Sequence, residues 1–319
     1  MATVIRSFAK INIGLRIGPL REDGFHELRT IYQTLNFHDV IKIEVGRGGG
    51  IEISCTNPRV PTDESNTCWR MAERVLKALK VKAKVRIAIE KNLPAQGGLG
   101  GASSNAVAVM LAMEKALKRQ LAAGERLRIA SEVGSDLPLF LIGGTVLGTG
   151  RGVEVYGLED LPELDCVTAT PSIGVSTPQA FAEWDRKLTG LQASDRIKTF
   201  SHSVYEWLSG SRFSPTGVPA KGRGRAETLL LDLVRAGIEN DFESVVFPKH
   251  PSLREIKRML ERSGADYVSL SGSGSTIYGL FAKRSKALAA ARKLSQSGVP
   301  AQAWKTLPRF EYWKDLFPK

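Results

Sequence analysis

Residues 94–105, Pro-Ala-Gln-Gly-Gly-Leu-Gly-Gly-Ala-Ser-Ser-Asn, constrain this chain more than any other stretch. Gly97, Gly98, Gly100 and Gly101 let the backbone turn tightly and bring its N–H groups against a ligand with no Cβ in the way. Ser103, Ser104 and Asn105 are N-cap residue types, and Val107, Met110, Leu111 and Leu117 follow at helical spacing. Upstream, Val81, Ala83, Val85, Ile87 and Ile89 alternate with Lys82, Lys84 and Arg86, the pattern of a half-buried strand. A strand, a glycine turn and a helix N-terminus together favour an anion, phosphate above all. The competing reading is a plain Gly-rich turn before an ordinary capped helix.

Better-known glycine motifs do not fit. A P-loop ends in Gly-Lys-Ser/Thr, and no lysine lies between Lys91 and Lys115. A dinucleotide fingerprint needs an acidic residue about 20 residues on, where Lys118-Arg119-Gln120-Leu121 stands instead. A protein kinase carries His-Arg-Asp and Asp-Phe-Gly, and neither occurs.

At 319 residues the chain is one large or two ordinary domains, and no run approaches a membrane span. Forty-five Lys and Arg against 33 Asp and Glu leave +12, which suits nucleic acid or a small anionic substrate. The surplus is mostly scattered and no nucleic-acid motif occurs, so the small anion is favoured. Three cysteines, Cys55, Cys68 and Cys166, lack metal-type spacing and suit a reduced, cytoplasmic setting. Met1 to Arg21 is basic and acid-free, as a transit peptide is. Its Val4, Arg6, Phe8 and Lys10 alternate, however, which makes a first strand the better reading.

In that strand Ile11, Ile13 and Leu15 share one face, and Lys10, Asn12 and Gly14 the other. The second face is either solvated or aimed into a site. Arg21 to Leu28 forms a turn that sets Phe25 beside His26. Asp63-Glu64-Ser65-Asn66 caps a helix through Trp69, Val75 and Leu79, and Gly124 to Val133 is a short helix. In Gly134-Ser135-Asp136-Leu137-Pro138-Leu139-Phe140, Asp136 is a helix cap or a functional carboxylate. A polar stretch over 158–164 divides the chain into 1–160 and 161–319. Beyond it lie Val175 to Phe181, a basic Gly/Pro-rich insertion over 212–225, and helical patterns over 226–236 and 253–262. A second glycine-serine loop, Leu270 to Thr276, precedes a strand, Ile277 to Phe281, and a helix, Ser285 to Leu294.

Phe8 to Leu15, Pro94 to Asn105 and Leu270 to Thr276 together resemble the GHMP kinase superfamily, whose glycine loop holds ATP phosphates without a P-loop lysine. Ala9-Lys10-Ile11-Asn12, Asp23-Gly24-Phe25-His26 and Gly134 to Phe140 are similar to the branch that phosphorylates the 2-hydroxyl of diphosphocytidyl-methylerythritol on the non-mevalonate isoprenoid route. Phe25 replaces that branch's usual Tyr, Ala102 its third loop glycine, and Ser135 its usual Ala.

The resemblance implies an α+β, two-domain fold: an N-terminal ribosomal-protein-S5-like ATP-binding domain and a C-terminal ferredoxin-like domain, with the site between them. It implies Asp136 as acceptor of the hydroxyl proton and Lys10 beside it. ATP is assigned to Pro94, Ala95, Gln96, Gly97, Gly98, Leu99, Gly100, Gly101, Ala102, Ser103 and Ser104, with Asn66 and Lys91 by the adenine. Phe25 and Phe181 are to sandwich the cytosine, with His26 reading its edge and Asn12 and Thr177 completing the substrate site. Mg²⁺ is expected with ATP, without a protein metal centre. The implied partner is a small molecule bearing cytidine diphosphate, not nucleic acid or membrane, and the implied assembly a monomer or homodimer. The rivals are a superfamily kinase of mevalonate, homoserine or a sugar, and a non-catalytic nucleotide-binding protein.

Overall fold

The computed structural model describes residues 2–187, 195–204 and 238–318. The insertion over 212–225 and the helical pattern over 226–236 lie outside the described residues. Strand β1 (Thr3–Leu20) and strand β2 (His26–Gly46) form one long antiparallel hairpin. β2 also pairs with β4 (Lys84–Glu90) and β5 (Thr145–Thr149), while β3 (Gly50–Cys55) runs parallel to β4 and β6 (Glu154–Gly157) pairs with β5.

Helices α1 (Thr67–Leu79), α2 (Gly101–Leu117) and α3 (Ala123–Val133) cover this first sheet. Every residue of α2 from Ser104 to Glu114 is buried, as its nearly all-round apolar sequence requires. β4 starts at Lys84 rather than Val81. Lys80 closes α1 in a left-handed cap, and the Val81 N–H turns back to Leu76 O, so Val81 to Ala83 never reach the sheet.

The second sheet has the order β10-β7-β9-β8 and is antiparallel throughout. It comprises β7 (Asp165–Ala169), β8 (Tyr267–Leu270), β9 (Ile277–Phe281) and β10 (Ala301–Lys305). Numbered by their sequence within this sheet, the strands lie 4-1-3-2. Helices fill the β7–β8 and β9–β10 connections: α4 (Thr177–Lys187), α5 (Glu243–Lys249) and α6 (Pro251–Arg262) in the first, α7 (Arg284–Gln296) in the second. That is the ferredoxin-like β-α-β-β-α-β arrangement. Helix α8 (Arg309–Asp315) then returns to the first half, burying Leu307, Tyr312 and Leu316 in its core.

Strand β1 runs through three apolar clusters in turn. Ile5 and Phe8 enter the first-sheet core, Ala9, Ile11 and Ile13 an intersheet layer with Cys166, Tyr278 and Leu280, and Leu15 and Ile17 the second core. The change of face comes from a bulge between Ile13 and Leu15, where Gly14 adopts φ +72. Leu15 consequently parts from Ile11 and Ile13 and joins Lys10 and Asn12 on the cavity side, contrary to simple alternation. A side chain at Gly14 would also strike Ile238, 2.2 Å from its Cβ position.

Candidate active site

The glycine loop is fixed from both halves of the molecule. The Lys10 N–H donates to Leu99 O, the Ser271 hydroxyl to Gly98 O and the Thr276 N–H to Gly97 O. Gly98 has φ +76, and a Cβ there would lie 2.1 Å from Ser271 O. Sequence alone puts the α2 cap at Ser103, Ser104 or Asn105, but the N-cap is Gly100. Helical geometry begins at once because Gly100 takes φ +71. The amides of Gly101, Ala102 and Ser103 precede the first helical hydrogen bond, that of Ser104 to Gly100, and so are available to an anion. The Ser104 hydroxyl faces away, 2.8 Å from that of Ser7, which also donates to Asn105 Oδ1.

Two cavities meet at this loop. One, of about 360 Å³, is lined by the 94–103 backbone together with Asn66 and Lys91. The polar atoms of those two side chains already have partners. Asn66 accepts from Cys68 N and donates to Pro61 O, and the Lys91 ammonium is 2.6 Å from buried Asp39. Asp39 also takes the amides of Asn92 and Leu93, fixing the lead into the loop. Burial, reinforced by the Asp39 charge, pushes the Cys68 thiol up to about 12.

The second cavity, of about 650 Å³, contains Lys10, Asn12, Phe25, His26, Asp136, Thr177 and Phe181. Gly98 and Gly100 line both cavities. Lys10 is buried, with its ammonium 2.6 Å from Asn12 Oδ1 and 3.2 Å from Asp136 Oδ2. Asn12 donates onward to Thr30, whose hydroxyl donates to Gly14 O at the bulge. Two oxygen partners offset the desolvation of the buried ammonium. Asp136 follows α3 and precedes the 3₁₀ turn Pro138–Leu141 without capping it, and its side chain stays one-third exposed to the cavity.

The Asp136 Oδ1 atom accepts from the Tyr32 hydroxyl at 3.2 Å. Tyr32 is fully buried, and burial followed by the Asp136 charge raises its phenol well above the ordinary value, so it stays a donor. Of the aromatic pair expected around a base, Phe25 is half-exposed with the Arg151 guanidinium 5.1 Å from its ring centre. Phe181 lies flat on His26, 5.2 Å between ring centres at 5°, with Phe242 at its edge. His26 Nδ1 stands 3.0 Å from Gly18 O and Nε2 3.0 Å from Asp185 Oδ1, so both nitrogens face acceptors. Thr177 and Ser273 share a hydroxyl contact of 2.7 Å on the cavity wall.

The model of the GHMP kinases N terminal domain matches 66–144, and that of the GHMP kinases C terminal matches 226–300. The chain is 38% identical over 282 residues to the 4-diphosphocytidyl-2-C-methyl-D-erythritol kinase of Solibacter usitatus (strain Ellin6076), covering 88% of this chain and 81% of that one. The chain belongs to the 4-diphosphocytidyl-2-C-methyl-D-erythritol kinase family. As a GHMP kinase of this family it is an ATP-dependent phosphotransferase with an alcohol group as acceptor. The kinase of that name from Acaryochloris marina (strain MBIC 11017) is 34% identical over 94% of this chain and 93% of its own. A crystal structure of 4-(cytidine 5'-diphospho)-2C-methyl-D-erythritol kinase superposes with a TM-score of 0.70 at 27% identity, over 96% of this chain and 98% of that one.

Three polar residues of the second cavity escape sequence reasoning: Tyr32, Arg151 and Asp185. Tyr32 stands opposite Asn12 in the β1–β2 register, a pairing that no local pattern announces. Arg151 sits in the Gly150-Arg151-Gly152 turn, whose glycines were the visible signal. Asp185 could have been found from α4, where Thr177, Phe181 and Asp185 recur every four residues and therefore share a face.

Proposed function

We propose that this chain transfers the γ-phosphoryl group of ATP to the 2-hydroxyl of 4-diphosphocytidyl-2-C-methyl-D-erythritol. The observation that carries the reading is the shared wall: Gly98 and Gly100 border both cavities, and the Lys10–Asp136 pair stands on the far side of that wall. ATP lies along residues 94–104 with its adenine between Asn66 and Lys91, and its terminal phosphate against the α2 N-terminus.

The substrate oxygen attacks the γ-phosphorus as the bond to the ADP oxygen breaks, and that bonding pair leaves with ADP. The hydroxyl proton passes to an Asp136 oxygen. A loose transition state asks mainly for positioning and charge stabilisation, and the proton leaves late. Tyr32 and Lys10 each hold one Asp136 oxygen and so aim the carboxylate. Lys10 has three N–H donors, and Asn12 and Asp136 use two, which leaves one for an oxygen of the moving group.

Mg²⁺ fits here as an ion carried largely by phosphate and water, since it needs only one or two carboxylates. Among the described residues no three His, Cys, Asp or Glu converge as a metal centre, and Asp136 is a carboxylate of the cavity that Gly98 and Gly100 border. When bound, the ion supplies neutralisation of phosphate charge.

The cytosine lies against Phe181 and Phe25, and its edge takes the place of Asp185 at His26, with Asn12 and Thr177 on the substrate's polar groups. Three free cysteines, two of them buried, support a reducing cytoplasmic setting, and the enzyme works as a monomer or homodimer. No helix of the described residues is long and apolar enough to cross a membrane. An ADP-release assay with diphosphocytidyl-methylerythritol, mevalonate and homoserine tests the reading. Turnover is expected with the first alone, and preference for either of the others overturns it.

A further inference from the structure

The tail of the chain holds the two elements that carry Lys10 and Asp136. On one side it is bound to β1: Arg6 N–H donates to Leu316 O at 2.8 Å, and the Arg6 guanidinium to Asp315 O at 3.1 Å. On the other it takes the free carbonyls at the end of the 3₁₀ turn that follows Asp136. Tyr312 Oη donates to Phe140 O at 2.7 Å, Trp313 Nε1 to Ile142 O at 2.9 Å, and Arg309 Nε to Gly143 O at 3.3 Å. The last carbonyls of a helical turn have no partner within it, so side chains of α8 complete this one.

Tyr312 touches both elements. Its ring packs on Phe8, two residues before Lys10, with centres 5.4 Å apart, while its hydroxyl holds the turn. Gly143 has φ +71, and a Cβ there would stand 2.3 Å from the Tyr312 ring, so the ring sits directly against a position that only glycine leaves open. Phe140, whose carbonyl Tyr312 grips, lies under the glycine loop beside Lys10.

We propose that Tyr312 is a positioning residue for phosphoryl transfer, setting the separation of Lys10 and Asp136 by tying β1 to the 3₁₀ turn. The inference rests on the reading that these two residues serve the transfer. It concerns geometry at the reacting groups and not substrate binding. A displacement of this pair by a fraction of an ångström lowers the rate while leaving both binding cavities intact.

The test is a double-mutant cycle in steady-state and single-turnover kinetics. Tyr312→Phe keeps the ring on Phe8 and Gly143 and removes only the hydroxyl. It is expected to lower kcat about three- to tenfold with KM for ATP and for the acceptor unchanged. Trp313→Phe, at a 40% exposed position, is the second variant and loses the Ile142 contact with the core left filled. It is expected to lower kcat in the same sense, and it decides the matter should Tyr312→Phe not fold. In an Asp136→Asn background neither change should lower the residual rate further, because the carboxylate they position is gone. Full additivity in that background, a loss in KM rather than kcat, or wild-type kcat in whichever of the two variants folds overturns the proposal. Near-normal turnover of Asp136→Asn itself marks failure of the underlying reading instead.

Discussion

A Cβ on Gly100 would stand 2.8 Å from Cγ of Lys10 and 3.0 Å from the Phe140 ring. The glycine that starts α2 is also the one against which the buried lysine lies. Gly100→Ala therefore adds a side chain where φ is +71, at about 1–2 kcal/mol for the left-handed backbone alone, and displaces Lys10 as well. The expected outcome is a lowered melting temperature together with at least a roughly tenfold loss of kcat, since misplacement of reacting groups is felt steeply. Calorimetry and steady-state kinetics on one preparation check it. A variant with normal kcat and altered KM for ATP alone would confine the role of Gly100 to the nucleotide.

Asp136→Asn and Lys10→Ala should each reduce kcat by about 10²–10⁴, the usual range for losing a positioned proton acceptor or its partner. Circular dichroism should be unchanged for Asp136→Asn, whose side chain is open to the cavity. Lys10→Ala is expected to lose stability as well, because the ammonium is buried with Asn12 and leaves a hole there. Retention by Asp136→Asn of more than about a tenth of wild-type kcat would remove it from the role of proton acceptor.

Tyr32→Phe should lower kcat by about three- to tenfold and spare both KM values, the magnitude of one hydrogen bond to a partly exposed carboxylate. A loss in acceptor KM with kcat preserved would make Tyr32 a binding group instead.

Four tyrosines, Tyr32, Tyr267, Tyr278 and Tyr312, are held above their ordinary value by burial. Their phenols stay protonated in the fold above pH about 10, where the unfolded chain releases its protons. The unfolded state then binds fewer protons, so stability is full below that pH and falls as pH rises through it. Alkaline titration followed by absorbance and circular dichroism together should show tyrosinate from these residues appearing with unfolding. Ionisation of all four with the dichroism intact would contradict their burial.

Phe181→Ala should raise KM for the cytidine substrate about tenfold, stacking being worth roughly 1–3 kcal/mol per base, and should barely alter KM for ATP. In this variant His26 also loses the ring on which it lies flat. A defect confined to ATP would remove Phe181 from the acceptor site.

Much of this was legible in the sequence because it is written locally. The glycine loop, Lys10 and Asn12 on one strand face, and the second glycine-serine loop all depend on neighbours within a few residues. Family likeness supplied the ferredoxin-like half and the weight given to Asp136. Features that depend on distant pairing were hidden. Tyr32 meets Asp136 across 104 residues, and Tyr312 meets Phe140 across 172. Leu15 changes face through one bulge, which alternation cannot register, and the α2 cap moved because a left-handed glycine starts a helix without a side-chain acceptor.

The order of synthesis gives the path of β1 a further meaning. This strand is made before every segment it packs against, yet Ile5 and Phe8 share a cluster with Leu307, Tyr312 and Leu316, and Arg6 is hydrogen-bonded to Leu316. Its far end, Leu15 and Ile17, meets residues from 167 to 294. While the chain is still emerging, these apolar side chains have no complete partner set, and contacts of such long sequence separation form late. β2 gives β1 its strand partner early, but the apolar side chains of β1 stay partly uncovered until Leu316 has been made; only then do the two halves close on it together.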